Sequence, residues 1–315
     1  MHRTGIKIRT WAQAAATIVS NGYFKGLTNG NIYTGQLKHV CVPTLNCYSC
    51  PAAMYSCPIG AMQVTVAGAG GLDLTAIHTW GARLSAIATS LPLMVIGFLA
   101  LIGAVVGRAP CGWLCPFGWL QELLNKIPLP KFNGPEFFKY LKYVILIVFV
   151  FALPAFWLDE FDGGEPSFCK YICPAGTLEG GYPLALLKPD LRKQLGWLFA
   201  WKSFLLLLFL GLSMSFRRPF CRWACPLGAF YAPFNKVSIY RLELDKDTCI
   251  NCGLCTKVCP VSLKVTEDIQ SAECLRCLDC KAICPKGCIS FQPFGTSSAQ
   301  HEVVKPEASA GGNNT

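Results

Sequence analysis

Phe216–Phe230, FRRPFCRWACPLGAF, decides how the chain is read. It closes a long apolar run, sets Cys221 and Cys225 one helical turn apart, and opens onto a stretch dense in cysteine. Its core, Cys-Pro-x-Gly followed by a small or apolar residue, recurs at Cys57–Met62 (CPIGAM), Cys115–Leu120 (CPFGWL), Cys173–Leu178 (CPAGTL) and Cys225–Phe230 (CPLGAF). A cysteine turn repeated at the ends of apolar segments is the arrangement expected of metal centres set at membrane edges.

Composition points the same way. Of 315 residues 52% are apolar and 15% charged, and mean hydropathy is +0.39, too greasy for an average soluble domain. The net charge of +10 is first read as membrane topology rather than nucleic-acid binding. Nineteen cysteines could serve disulfides or metal. Their spacing, Cys-x2-Cys-x2-Cys-x3-Cys-Pro, is a ligand pattern and not a disulfide framework. No small-residue cleavage site follows the basic start, so the N-terminus is expected to stay attached.

Spans are expected at 10–28, with an interfacial amphipathic helix as the alternative there, and at Ala82–Val106, Tyr140–Leu158 and Leu195–Phe216. Gly68, Gly70 and Gly71 are expected to break the helix that begins at Pro58, and the Pro-rich, basic stretch 121–139 to be a connection. Counting spans from a cytoplasmic start puts Cys41–Cys57 and Cys169/Cys173 outside, and Cys111/Cys115 and Cys221/Cys225 inside. Charges agree: Arg108, Lys126, Lys131, Lys139 and Lys142 outnumber Glu122 and Glu136 on the inner connection, while the outer loop 159–197 is acidic. The fold class is therefore a mainly α-helical integral membrane protein, about four transmembrane helices plus a small α+β dicluster ferredoxin domain. Its domains are a membrane part at 1–230, the ferredoxin unit at 231–292 and a disordered tail at 293–315. The location is the cytoplasmic (inner) membrane, multi-pass, with the ferredoxin unit cytoplasmic and the lipid bilayer as its surroundings.

The strongest signal is Cys249, Cys252, Cys255, Cys259-Pro260 followed by Cys274, Cys277, Cys280, Cys284-Pro285. In a two-cluster ferredoxin three cysteines of one run and the last of the other hold each cube. That assigns Cys249, Cys252, Cys255 and Cys284 to one 4Fe-4S cube, and Cys274, Cys277, Cys280 and Cys259 to the other. A pair of zinc sites is the alternative. Cys288 is left as a buried thiol. Cys111, Cys115, Cys221 and Cys225 are expected to hold a third cube, against packing residues, zinc or a disulfide. On the far side Cys169 and Cys173 are expected to join Cys57 and one of Cys47 or Cys50. Alternatively Cys41, Cys47, Cys50 and Cys57 make a cube alone, and leftover thiols pair as a disulfide. Haem, dinucleotide and P-loop motifs are absent from the sequence, and the glycines at 68–71 are read as a turn.

GRAPCGWLCPFGWLQE (107–122) and FRRPFCRWACPLGAF (216–230), with the dicluster motif behind them, resemble the NapH and NosR type membrane polyferredoxins. The likeness covers roughly residues 80–290. It implies an inner-membrane electron-transfer subunit, quinol-dehydrogenase-like, that exchanges electrons between the quinone pool and a redox partner protein or complex subunit. Cys111, Cys115, Cys221 and Cys225 match the family's paired motifs, and the eight ferredoxin cysteines match directly. Two features depart from the family. The residues at hand include no flavin-bearing domain such as the larger members carry, and they add Cys41–Cys57 and Cys169/Cys173, which look like a further relay station. The expected function is transmembrane electron transfer through two ferredoxin cubes and two membrane cubes. The rivals are an iron–sulfur redox sensor or regulator and a maturation factor for a partner enzyme.

Overall fold

The computed structural model describes residues 2–70, 92–132, 134–156 and 165–293. Gly71, residues 82–91 of the second expected span, Leu158, the acidic residues at 159–162 and the tail from 294 lie outside them.

Two helices are long and apolar enough to cross a membrane, Glu136–Phe156 and Trp197–Ser215. Only 22% and 11% of their apolar windows are buried within the protein, whereas the core helix of a soluble fold is mostly covered. Ile147, Phe204 and Leu207 stand outward, a surface that suits an apolar solvent better than water. Glu136–Phe156 widens into a π-helix at Ile145–Ala152. Pro154 follows within one turn, and the wider turn gives its ring room against the carbonyl four residues back. Of the expected span at Ala82–Val106, the described part is the helix Leu93–Val106, 14 residues, or about 21 Å of rise. The expectation of four spans is thus met by two candidates among the described residues.

The N-terminal segment differs from the expected span at 10–28. The helix is His2–Ser20, and after Asn21 and Gly22 a short second helix, Phe24–Asn29, follows. Arg9, Gln13 and Ser20 recur at near-helical spacing and are buried against the protein, while Ile8, Trp11, Ile18 and Val19 face out. The helix is amphipathic with its polar face inward, which agrees with the amphipathic alternative at 10–28 but starts and ends earlier, at His2 and Ser20. Gly68 also does not break its helix, which is described from Pro58 to Gly70, the break expected at Gly70 and Gly71 lying at the edge of the described residues. An isolated glycine costs a helix only about 1 kcal/mol. Part of the expected connection 121–139 is helical as well, at Pro116–Leu124 and from Glu136 on.

The ferredoxin unit is closed by two antiparallel strands, Tyr240–Leu244 and Ile289–Pro293, in register from Tyr240↔Pro293 to Leu244↔Ile289. Between them lie short helices at Leu254–Val258 and Asp279–Ile283. Buried charge fastens this unit to the helical part. Glu273 is bonded by Lys142 from the span and by Arg108, which is 1% exposed. Arg9 bridges Glu122 and Asp279, and Glu122 also holds Arg218. The Asn235 side-chain amide donates to the Ser271 and Cys274 carbonyls, and its oxygen accepts from the Arg108 amide. Gly107 makes that last contact possible. Its φ is +60°, and a Cβ there would stand 2.4 Å from Asn235 Oδ1.

Candidate metal centres

The repeated turn has one local structure. Cys115, Cys173 and Cys225 are helix N-caps, each followed by proline at the first helical position, where no amide partner is needed. Each sulfur accepts the amide of the glycine three residues on, at 3.3–3.4 Å. A thiolate is thereby held at a helix N-terminus, where the peptide dipoles favour negative charge. The glycine also lets a second turn come close. A Cβ on Gly228 would lie 2.8 Å from Arg108 Nη2, and one on Gly118 3.1 Å from Arg218 Nη1.

Two such turns face each other at the central site. Cys111, Cys115, Cys221 and Cys225 are 4–7% exposed. Burial pushes the Cys115 and Cys225 thiols up, and Cys221 and Cys111 push them further, because the sulfurs lie within electrostatic reach of one another. Cys111 is raised by burial too, with Arg108 opposing. Arg108 Nη2 donates to the Cys221 carbonyl at 3.4 Å and Arg218 Nη1 to the Cys111 carbonyl at 2.8 Å, so each arginine crosses to the other turn. Arg218 is held in the left-handed region at φ 46°, a strained backbone for a residue other than glycine, by these bonds and by Glu122.

The distal site uses the other two turns. A cavity of about 350 Å³ is lined by Cys47, Cys57, Cys169 and Cys173, with Lys170 and Lys202. Burial raises Cys169 to about 12, with Cys57 and Cys47 adding to it. Burial likewise raises Cys173, helped by Cys169 and Cys57. Of Cys47 and Cys50, the cavity takes Cys47. Cys50 packs with Ala52 and Ala53 in a small cluster that Cys47 also touches, but neither Cys50 nor Cys41, whose backbone bridges to Ser56, lines the cavity. Glu179, whose carboxyl is driven by burial to about 7, accepts the Cys47 amide at 2.7 Å.

In the ferredoxin unit one cavity is lined by Cys259, Cys274, Cys277 and Cys280, and another by Cys249, Cys252, Cys255, Cys284 and Cys288. Cys288 Sγ stands 3.2 Å from Cys284 Sγ. Both cysteine loops turn through left-handed residues on either side of the middle cysteine, Asn251 and Gly253 around Cys252, Arg276 and Leu278 around Cys277. Alternating handedness of this kind turns successive amides inward and makes a nest for an anion.

The residues fit cubes better than single ions. Among the described residues no three Cys, His, Asp or Glu are arranged to hold one metal ion. A tetrahedral zinc with bonds of about 2.3 Å draws its thiolates together, whereas a cube spreads them over four iron corners. Buried thiols set close enough to raise one another's pKa, ringed by N–H donors, suit an iron–sulfide cube that is net negative once four thiolates bind it.

Gln63 and Gln121 are absent from the expected ligand sets, yet both touch thiols. Gln63 Nε2 donates to Cys169 Sγ at 3.2 Å and Gln121 Nε2 to Cys221 Sγ at 3.3 Å. The signal for them is their fixed distance of six residues from Cys57 and Cys115.

The sites form a series. The helix His2–Ser20 meets Asp279 of the ferredoxin unit through Arg9 and Gly112 beside Cys111 through Gln13, and Asn21 just beyond it meets Asn46 beside Cys47. Eight residues from Gln13 to Asn21 correspond to about 12 Å of helix. Gly112 itself lies against the ferredoxin backbone: a Cβ there would stand 2.5 Å from the Leu275 carbonyl oxygen. Gly112→Ala is expected to push the ferredoxin unit off the central site and cost about 1–3 kcal/mol, read as a lower melting temperature of the iron-loaded protein.

A model of a 4Fe-4S binding domain matches residues 87–135, 142–182 and 197–242, and a second 4Fe-4S binding domain model matches 240–261. The chain is 34% identical over 221 residues to an uncharacterized protein of Methanocaldococcus jannaschii, covering 67% of this chain and 72% of that one. It is 31% identical over 182 residues to the regulatory protein NosR of Stutzerimonas stutzeri, 54% of this chain and 22% of NosR. It is 29% identical over 174 residues to the methylamine utilization ferredoxin-type protein MauN of Methylorubrum extorquens, 53% of this chain and 51% of MauN. No solved structure matches.

Proposed function

Because the chain belongs to the NosR-type family of 4Fe-4S binding polyferredoxins, we propose that it is an electron wire through a membrane, joining a donor or acceptor at the distal site to a redox protein that docks on the ferredoxin unit. The single observation that carries this reading is the succession of distal, central and ferredoxin cysteine sets along one amphipathic helix. Electron tunnelling falls steeply with distance, and sets tied one after another to a single helix suit a relay. Bound at these sets, about four cubes would supply one-electron carriers.

The chain's own residues do the rest. Cys47, Cys57, Cys169 and Cys173 would hold the distal cube, and Cys111, Cys115, Cys221 and Cys225 the central one. Cys259, Cys274, Cys277 and Cys280 would hold the cube next to the central site, and Cys249, Cys252, Cys255 and Cys284 the outermost. Cys252 is the one ferredoxin cysteine that is exposed, which favours the outermost cube as the exit to a protein partner. The outward apolar faces of Glu136–Phe156 and Trp197–Ser215 support a place in a membrane, and the excess of Lys and Arg on the connection 108–142 over the acidic loop 159–197 supports an inner-membrane, multi-pass arrangement with the ferredoxin unit on the cytoplasmic side. Quinone is the small-molecule partner that the family likeness suggests.

Cysteine substitutions separate the ligand sets. Cys47→Ala is expected to remove about four irons per chain, whereas Cys50→Ala and Cys41→Ala leave the iron content of anaerobically purified protein unchanged. An unaltered count in Cys47→Ala would transfer the distal site to another cysteine set.

A further inference from the structure

In the four Cys-Pro-x-Gly turns of the helical part, at Cys57, Cys115, Cys173 and Cys225, the residue six positions after the cysteine is Gln63, Gln121, Glu179 and Tyr231 in turn. Two of the four are glutamines, and the structure uses them in the same way. Gln63 Oε1 accepts the Phe168 amide at 2.8 Å, and Gln121 Oε1 accepts the Phe220 amide at 3.1 Å; each phenylalanine directly precedes the first cysteine of the opposite turn. One side-chain N–H goes back to the carbonyl four residues earlier, Ile59 at 3.2 Å and Phe117 at 3.3 Å. The other goes to the sulfur, Cys169 or Cys221. Both side chains are 0% exposed, and both N–H groups and the oxygen are occupied. The backbone amide fixes which end is oxygen, so the nitrogen must face the thiol.

From this duplicated geometry we propose that Gln63 and Gln121 are positioning residues that raise the reduction potentials of the distal and central cubes by donating to one thiolate of each. The inference rests on the reading of those two sites as cubes. A cube gains negative charge when it takes an electron, so a fixed donor to one of its thiolates stabilises the reduced form more than the oxidised form. The other two positions give no such donor. Glu179 meets the Cys47 amide through its carboxylate, and the Tyr231 hydroxyl bonds the Pro43 carbonyl at 3.3 Å. Each site therefore has one thiolate, on Cys169 or Cys221, singled out by an amide from across the cube. A role confined to packing would need the oxygen and the backward bond but not the bond to sulfur.

The test replaces Gln121 and Gln63 separately by methionine, which is of similar length and uncharged and removes the donor to sulfur. Redox titration followed by electron paramagnetic resonance is expected to show four cubes retained, with a lower potential for the central cube alone in Gln121→Met and for the distal cube alone in Gln63→Met. Potentials unchanged from wild type, or all centres shifted together, would overturn the inference. Should either variant fail to load its cube, pulsed resonance on reduced wild-type protein labelled with 15N in the glutamine side-chain amides decides instead. A nitrogen coupling at both membrane cubes supports the proposal, and none overturns it. An iron content of about eight per chain in the wild type would remove the cubes themselves, whereas about sixteen with unmoved potentials would remove only the role of the glutamines.

Discussion

Cys225→Ala is expected to lower the iron content from about sixteen to about twelve per chain and to stop electrons offered at the distal site from reaching the ferredoxin cubes. Cys225 is 4% exposed and caps its own helix, so its sulfur is both a ligand candidate and a local anchor. Alanine fits the space and leaves the helix its proline at the first position, so the fold should survive. The break in the series is what should tell. In sealed vesicles with a membrane-impermeant viologen on the distal side, the ferredoxin signals of the variant should stay oxidised while those of the wild type are reduced. A variant that is reduced as fast as wild type would place the central thiols off the electron path.

The second large effect is expected at Glu273. It is the common acceptor for Arg108 and Lys142, which are 1% and 0% exposed. Taking away one partner of a buried charge network leaves the others uncompensated, at a cost of about 3–5 kcal/mol. Glu273→Ala should therefore lower the temperature at which the cubes are lost far more than Gly112→Ala does, and should loosen the ferredoxin unit from the helices. Replacing Lys142 by methionine in the same protein should recover part of the loss, since one stranded cation is then gone. A Glu273→Ala protein with wild-type stability would mean that water reaches Arg108 and Lys142.

How far these features could be read from sequence varied with how local they are. The two ferredoxin cysteine runs are local: two-residue gaps curl three cysteines into one loop, and the left-handed residues beside Cys252 and Cys277 belong to the same loops. The facing of Cys111/Cys115 with Cys221/Cys225 is long-range, but a repeated motif announces it. Cys47 is different. It enters the distal cavity from ten residues before Cys57, where the other turns place their first cysteine four residues ahead, and only the folding of the loop 41–57 separates it from Cys50. The limits of the N-terminal helix are hard to read because its polar residues face the protein and its apolar ones face out, so an amphipathic helix is legible there but its ends at His2 and Ser20 are not. Gln63 and Gln121 carry no ligand signature of their own, and their meaning depends on the opposite turn, which the chain reaches about a hundred residues later.

The most direct test of the wire is the iron and acid-labile sulfide content of the anaerobically purified, full-length protein. About sixteen of each per chain, four cubes' worth, is the expected result. About eight of each, with Cys225→Ala no lower, would leave only the ferredoxin cubes and contradict a relay through the membrane part.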